Sequence, residues 1–138
     1  TDEFLIIARI ESLIAGAGMD DALLRAEKYL DAGADGIMIH SSKQNPDEIF
    51  QFAEAYKRSI SDKPLVVVPS SFSQVTESEL EKNGVNIVIY ANQLLRSAIP
   101  SMLNTAKSIL EFGNSYHIES QMMSISDILM LFPTGDAK

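Results

Sequence analysis

Four times along the chain a short apolar run gives way to a turn and then to a stretch with helical periodicity. Residues 4–10 (FLIIARI) are apolar apart from one Arg, which fits a parallel strand buried on both faces. Asp20 then stands where an N-cap belongs. Leu23, Leu24, Ala26, Tyr29 and Leu30 follow at helical spacing, and Gly33 is placed to stop the helix. The second repeat is 36–40 (GIMIH), followed by Asn45 as a cap beside Pro46 at the first helical position, with Ile49, Phe50, Phe52, Ala53 and Tyr56 as its apolar face. The third is 65–69 (LVVVP), after the Lys63-Pro64 break. Its helix opens on a capping box, Thr76-Glu77-Ser78-Glu79, carries Leu80, and ends at Gly84. The fourth strand, 86–90 (NIVIY), leads to a longer helical stretch, 93–112, in which Pro100 predicts either a helix start or a kink. After Gly113 a polar link precedes a weaker amphipathic segment, 124–132.

Strands alternating with helices at this spacing predict an α/β fold with a parallel sheet and right-handed crossovers. No linker divides the chain, so a single unit over 1–138 is expected: four βα units in 1–112 and a helical tail in 113–138. A doubly wound sheet would carry a glycine-rich phosphate loop after its first strand. The loop here, 12–18 (SLIAGAG), has Gly16 and Gly18 but lacks the third glycine, and holds an apolar Leu13-Ile14 pair where a nucleotide loop is small and polar. Four uniform units match half of a (β/α)₈ TIM-type barrel better.

Charge and residue usage remove several function classes. Nineteen acidic against eleven basic side chains give a net charge of −8, which argues against a nucleic-acid partner. The absence of cysteine excludes disulfides, thiolate metal sites and a thiol nucleophile. No stretch reaches the ~18 apolar residues of a membrane span, and the N-terminus carries no signal-peptide pattern, so no membrane partner and a cytoplasmic location are expected. The chain opens directly into a strand-like run, from which a start within a longer protein is expected.

In a parallel barrel the active site is built at the C-terminal ends of the strands. That rule selects Arg9 and Glu11, then His40, then Ser70 and Ser71, then Asn92. Arg9 is the most informative, because an unpaired guanidinium inside an apolar strand would be costly. It either forms a structural ion pair with Glu11, two residues on and on the same strand face, or offers a fork to a phosphoryl or carboxylate group. His40 reads as a hydrogen-bonded rim residue, a second donor to an anion, or a proton carrier. Glu11 could equally bind a metal or water. His117 has no evident partner and reads as solvated, the six methionines as core or interface filling, and no metal-binding cluster is visible.

These residues carry a resemblance. The stretch 7–41 (IARIESLIAGAGMDDALLRAEKYLDAGADGIMIHS), then VVVPSSF, then NIVIYANQLLRSAI, resembles the phosphoenolpyruvate mutases of the isocitrate lyase/phosphoenolpyruvate mutase superfamily, over roughly 4–110. The resemblance implies the C-terminal half of the barrel and interconversion of phosphoenolpyruvate and phosphonopyruvate, an isomerase step entering phosphonate biosynthesis. It implies that Arg9 and His40 hold the phosphoryl group; Glu11 and Asn92, selected by the strand-end rule, are expected to bind substrate with them. It implies Mg²⁺ at the substrate's pyruvyl end and a carboxylate nucleophile. Those ligands, the nucleophile and a gating loop all lie in the N-terminal half, so this chain alone is expected to be inactive. His40 favours the phosphonate branch, since the superfamily's lyases carry another residue at that strand end. A homotetramer that exchanges its last helices is also implied. Phosphonopyruvate hydrolase is the near alternative, a C–C lyase of 2-hydroxy acids the third. A non-catalytic half-barrel that binds a phosphorylated ligand is the reading from another class.

Overall fold

The computed structural model describes residues 4–132, so 133–138 of the expected tail lie outside the described residues. The chain divides into two units, 1–91 and 92–138.

The first unit contains β1 (Ile7–Ile10), α1 (Gly18–Asp31), β2 (Gly36–Ile39), α2 (Asp47–Ser59), β3 (Leu65–Val67), α3 (Glu77–Lys82) and β4 (Ile87–Val88). All strand pairs are parallel, and the order across the sheet is β1-β2-β3-β4. Sequential order without reversal is the winding of a barrel; a doubly wound sheet would turn back on itself at a switch point.

Register decides which side chains share a face. Ala8 pairs with Ile37, Ile10 with Ile39, and Ile37 with Leu65. These residues pack with Ala22 and Ala26 of α1, Ile49, Phe52, Ala53 and Tyr56 of α2, and Leu80 of α3 to form the core. Phe52 and Tyr56, one helical turn apart, stack with ring centroids 5.8 Å apart, and the Tyr56 hydroxyl donates to the Lys63 carbonyl at 3.1 Å. Successive side chains on a strand alternate between faces, so Arg9 and its register partner Met38 fall on the side away from the helices.

Local signals set most of the boundaries. The capping box forms, with the Glu79 amide donating to Thr76 Oγ1 and the Glu79 carboxylate accepting from the Thr76 amide at 2.9 Å. Gly33, at φ +103°, follows α1 as the expected stop. Three expectations shift. Helix α1 starts at Gly18, ahead of Asp20, which lies in its first turn with Asp21; Ala17 is the N-cap and supplies no side-chain bond. Helix α2 begins one residue after Pro46, while Asn45 Oδ1 accepts from the Asp47 amide at 2.7 Å and so still serves the helix start. The strands are shorter than the apolar runs. In β1 the ladder starts at Ile7 because its partner Gly36 is the first residue of β2, leaving Phe4, Leu5 and Ile6 exposed.

The second unit holds α4 (Gln93–Phe112), a 3₁₀ turn (Glu119–Gln121) and α5 (Ile125–Leu131). Helix α4 runs through Pro100 and ends at Gly113, whose φ of +68° is the left-handed C-cap conformation. Ser124 caps α5 by accepting from the Asp127 amide at 3.1 Å. His117 is exposed, as expected for a residue on the polar link, yet not without partners: its ring lies 4.2 Å from that of Phe112 and 5.7 Å from that of Tyr116. No helix among the described residues is long and apolar enough to cross a membrane.

Candidate functional site at the ends of the first two strands

Parity along the strands assembles the site. Because Ile10 and Ile39 are paired and both face the helices, Glu11 and His40, the next residue on each strand, turn to the opposite side with Arg9. There the three side chains meet. Arg9 donates through Nε to Glu11 Oε1 and through Nη2 to His40 Nδ1. His40 Nδ1 also lies 3.4 Å from Glu11 Oε2. A guanidinium can only donate, so with Nδ1 accepting from Arg9 the ring proton sits on Nε2, and Nδ1 gives no hydrogen bond to Glu11. His40 is three-quarters covered, whereas Arg9 and Glu11 are about half exposed, with side-chain exposures of 48% and 46%.

Partial burial by itself would raise the Glu11 pKa. The hydrogen bond and charge of Arg9 outweigh it and hold the carboxyl below its ordinary range. Glu11 is thus a fixed anion that orients the guanidinium. Two of the five N–H donors of Arg9 are used in these contacts, leaving three for an incoming anion. The His40 Nε2–H is a further donor on the same side of the sheet.

Ser70 and Ser71 follow β3 and are half-buried, the Ser70 amide donating to the Val68 carbonyl at 2.9 Å. Asn92 belongs to the second unit, where it stands at the N-cap of α4 and its carbonyl accepts from the Arg96 amide at 2.9 Å. Among the described residues no group of three or more His, Asp or Glu is placed to hold a metal ion. Glu11, already bound to Arg9, does not offer such a site either.

Behind the site lie two hydroxyls that the sequence did not single out. Ser12 and Ser41 each follow a site residue directly and are buried. Ser12 Oγ donates to Asp21 Oδ2 at 2.6 Å, and Asp21 accepts from Arg25 Nε at 2.7 Å. Ser41 Oγ donates to Glu48 Oε1, and Glu48 Oε2 lies 2.5 Å from Lys43 Nζ. A serine two residues beyond a core-facing strand residue, with a carboxylate in the first turn of the next helix, is the signal that could have found them.

The family model described as phosphoenolpyruvate phosphomutase matches residues 1–110. The chain is 35% identical, over 94% of its length, to a phosphoenolpyruvate phosphomutase of Tetrahymena pyriformis, covering 42% of that protein. A solved phosphoenolpyruvate phosphomutase from Streptomyces platensis subsp. rosaceus superposes with a TM-score of 0.87 at 35% identity, covering 95% of this chain and 45% of the other. A phosphonopyruvate hydrolase complex with oxalate and Mg²⁺ does so at 0.84 and 36% identity, covering 95% and 46%. The chain therefore spans less than half the length of the relatives it matches. Sequence, strand order and superposition agree that the chain belongs to the phosphoenolpyruvate phosphomutase family, within the TIM-barrel superfamily of phosphoenolpyruvate mutase and isocitrate lyase.

Proposed function

We propose that this chain is the phosphoryl-binding half of a phosphoenolpyruvate mutase, an enzyme that interconverts phosphoenolpyruvate and phosphonopyruvate. The observation that carries the reading is the convergence of Arg9, Glu11 and His40 on the helix-free side of β1 and β2. The isomerisation exchanges the carbon–phosphorus bond of phosphonopyruvate for the phosphorus–oxygen bond of the enol phosphate, with no atom gained or lost. Negative charge stays on the phosphoryl oxygens as the group moves. A preoriented guanidinium and an imidazole N–H stabilise that charge without reorganising. In this reading Glu11 keeps the guanidinium plane fixed, Arg9 grips the group, and His40 donates from Nε2. Asn92 is assigned to the substrate's surroundings.

Mg²⁺ would polarise the substrate's pyruvyl end, a reading supported by the related hydrolase that is solved as a complex with oxalate and Mg²⁺. The described residues do not fit that ion. Its ligands and the nucleophile are assigned to the part of the relatives' length that this chain does not span. A second reading rests on the hydrolase relative, whose 36% identity stands beside the 35% of the solved Streptomyces platensis mutase. Hydrolysis of phosphonopyruvate to pyruvate and phosphate would use the same grip with water as acceptor.

The test is ³¹P NMR of phosphonopyruvate incubated with the complete protein and Mg²⁺. A phosphoenolpyruvate signal supports the mutase, inorganic phosphate with pyruvate supports the hydrolase, and an unchanged phosphonate signal overturns the phosphoryl-transfer reading.

A further inference from the structure

The two strand ends that carry the site share one construction. In each, the site residue is followed at once by a buried serine: Glu11 by Ser12, at 3% exposure, and His40 by Ser41, at 1%. Both serines continue the parity of Ile10 and Ile39, so they turn toward the helices while the preceding residue turns toward the site. Each hydroxyl is given to a carboxylate in the first turn of the helix that follows. Ser12 reaches Asp21 of α1 at 2.6 Å, and Ser41 reaches Glu48 of α2. Each carboxylate in turn meets a cation, Arg25 at 2.7 Å and Lys43 at 2.5 Å. The Ser41 oxygen also accepts from the Lys43 amide at 3.0 Å, tying down the loop on its other side.

A buried hydroxyl needs a partner, and a nearby backbone carbonyl would serve. Twice, it is matched instead with a side chain from the next helix. That choice couples the strand end to the helix start. It fixes the peptide unit between the serine and the site residue, and with it the direction in which the preceding side chain leaves the backbone. The cations sustain the coupling. At Asp21 the Arg25 hydrogen bond, then that of Ser12, keep the carboxyl ionised; at Glu48 burial opposes ionisation, but Lys43 and Ser41 together prevail.

We propose that Ser12–Asp21 and Ser41–Glu48 are paired positioning residues that set the geometry of the Arg9–Glu11–His40 site, one clamp for each strand. The proposal rests on the reading of those three residues as the phosphoryl grip. A site of this kind tolerates errors of about half an ångström, and a shift of about 1 Å costs up to a hundredfold in rate. The clamps act on the orientation of groups that meet the transferring phosphoryl, so their loss falls on kcat more than on KM.

The experiment uses the complete protein with four variants, Ser41→Ala, Ser41→Thr, His40→Ala and the Ser41→Ala/His40→Ala double variant, and two readouts. The first is turnover of phosphonopyruvate by ³¹P NMR. Ser41→Ala lowers kcat on the order of tenfold with KM nearly constant, Ser41→Thr recovers most of it, and Ser41→Ala costs nothing further once His40 is gone. The second is the ¹⁵N signals of the His40 ring, which move in Ser41→Ala away from the Nδ1-acceptor, Nε2-protonated pattern. Losses that multiply in the double variant overturn the clamp, as do unchanged His40 signals. If the wild-type protein leaves phosphonopyruvate untouched, the phosphoryl reading fails on that result alone, and the ring signals still decide the clamp. Should Ser41→Ala not fold, Glu48→Ala, which removes the acceptor of the Ser41 hydroxyl, carries the same two expectations.

Discussion

Arg9 sits in a position where chemistry and structure compete for the same five N–H groups. Its Nε is held by Glu11 and its Nη2 by His40, a planar arrangement that the single-point ammonium of lysine cannot copy. Arg9→Lys should therefore behave like a lost donor despite keeping its charge, lowering kcat/KM by about 10²-fold; a variant within threefold of wild type would show that charge alone suffices. Glu48 gives a prediction in pH. Its carboxyl lies below the ordinary 4.5 in the folded chain and returns to that value on unfolding. The unfolded chain then binds the proton more readily, so stability rises with pH through this interval. The contribution is complete above about 4.5 and is lost as pH falls through the lower, folded value. Melting temperatures of wild type and Glu48→Gln should differ at pH 7 and converge in acid, as pH falls through the lowered folded value. An equal difference at pH 7 and in acid would mean that the Lys43–Glu48 pair contributes nothing through charge.

At the scale of elements, close packing at strand starts is as decisive as the apolar runs themselves. A Cβ on Gly36 would fall 2.7 Å from the Pro64 carbonyl oxygen and 2.8 Å from Ile7 Cδ1. The first neighbour is backbone and cannot swing aside, so Gly36→Ala should destabilise by about 1–3 kcal/mol in chemical denaturation; a neutral result would mean that β2 can slide away from the Lys63-Pro64 turn. What was legible in the sequence follows the same division between local and distant. The Thr76–Glu79 box and the Gly33 stop were readable because every atom in them lies within a few residues. The order of strands and helices was readable from periodicity. The limits of the strands were not, because the β1 ladder begins where a residue 29 positions later allows it, at Ile7 opposite Gly36. Asp20 looked like a cap but lies inside the first turn, since Gly18, at φ +86°, lets the helix begin earlier. In the site, Arg9, Glu11 and His40 could be named from strand-end polarity. Ser12 and Ser41 were harder to see, because strand parity marks them as core-facing only together with the carboxylate that the following helix supplies.

For the molecule as a whole, the exposed apolar surface argues that other chain must cover what these residues leave open. In the second unit no residue of α4 or α5 is buried, although Leu94, Leu95, Met102, Leu103 and Leu110 on α4 and Ile125, Leu129, Met130 and Leu131 on α5 are all exposed. A helix apolar on so many sides is stable in water only when packed against a partner. In the first unit, Phe4, Leu5 and Ile6 at one side of the sheet and Ile87, Ile89 and Tyr90 at the other are also exposed, next to strands that have a neighbour on one edge only. The proposed partners are the other half of the barrel for the sheet and a second subunit, within a homotetramer that exchanges helices, for α4 and α5. Two measurements separate these demands. The 138-residue polypeptide prepared alone should yield no product from phosphonopyruvate in ³¹P NMR, and light scattering should give it a mass several times 15.2 kDa. The complete protein should turn substrate over and scatter as a discrete tetramer. Truncating it before α4 should dissolve the tetramer while leaving the sheet edges covered. A complete protein that is active as a monomer would sink the helix-exchange arm and return the apolar faces of α4 and α5 to contacts within a single subunit.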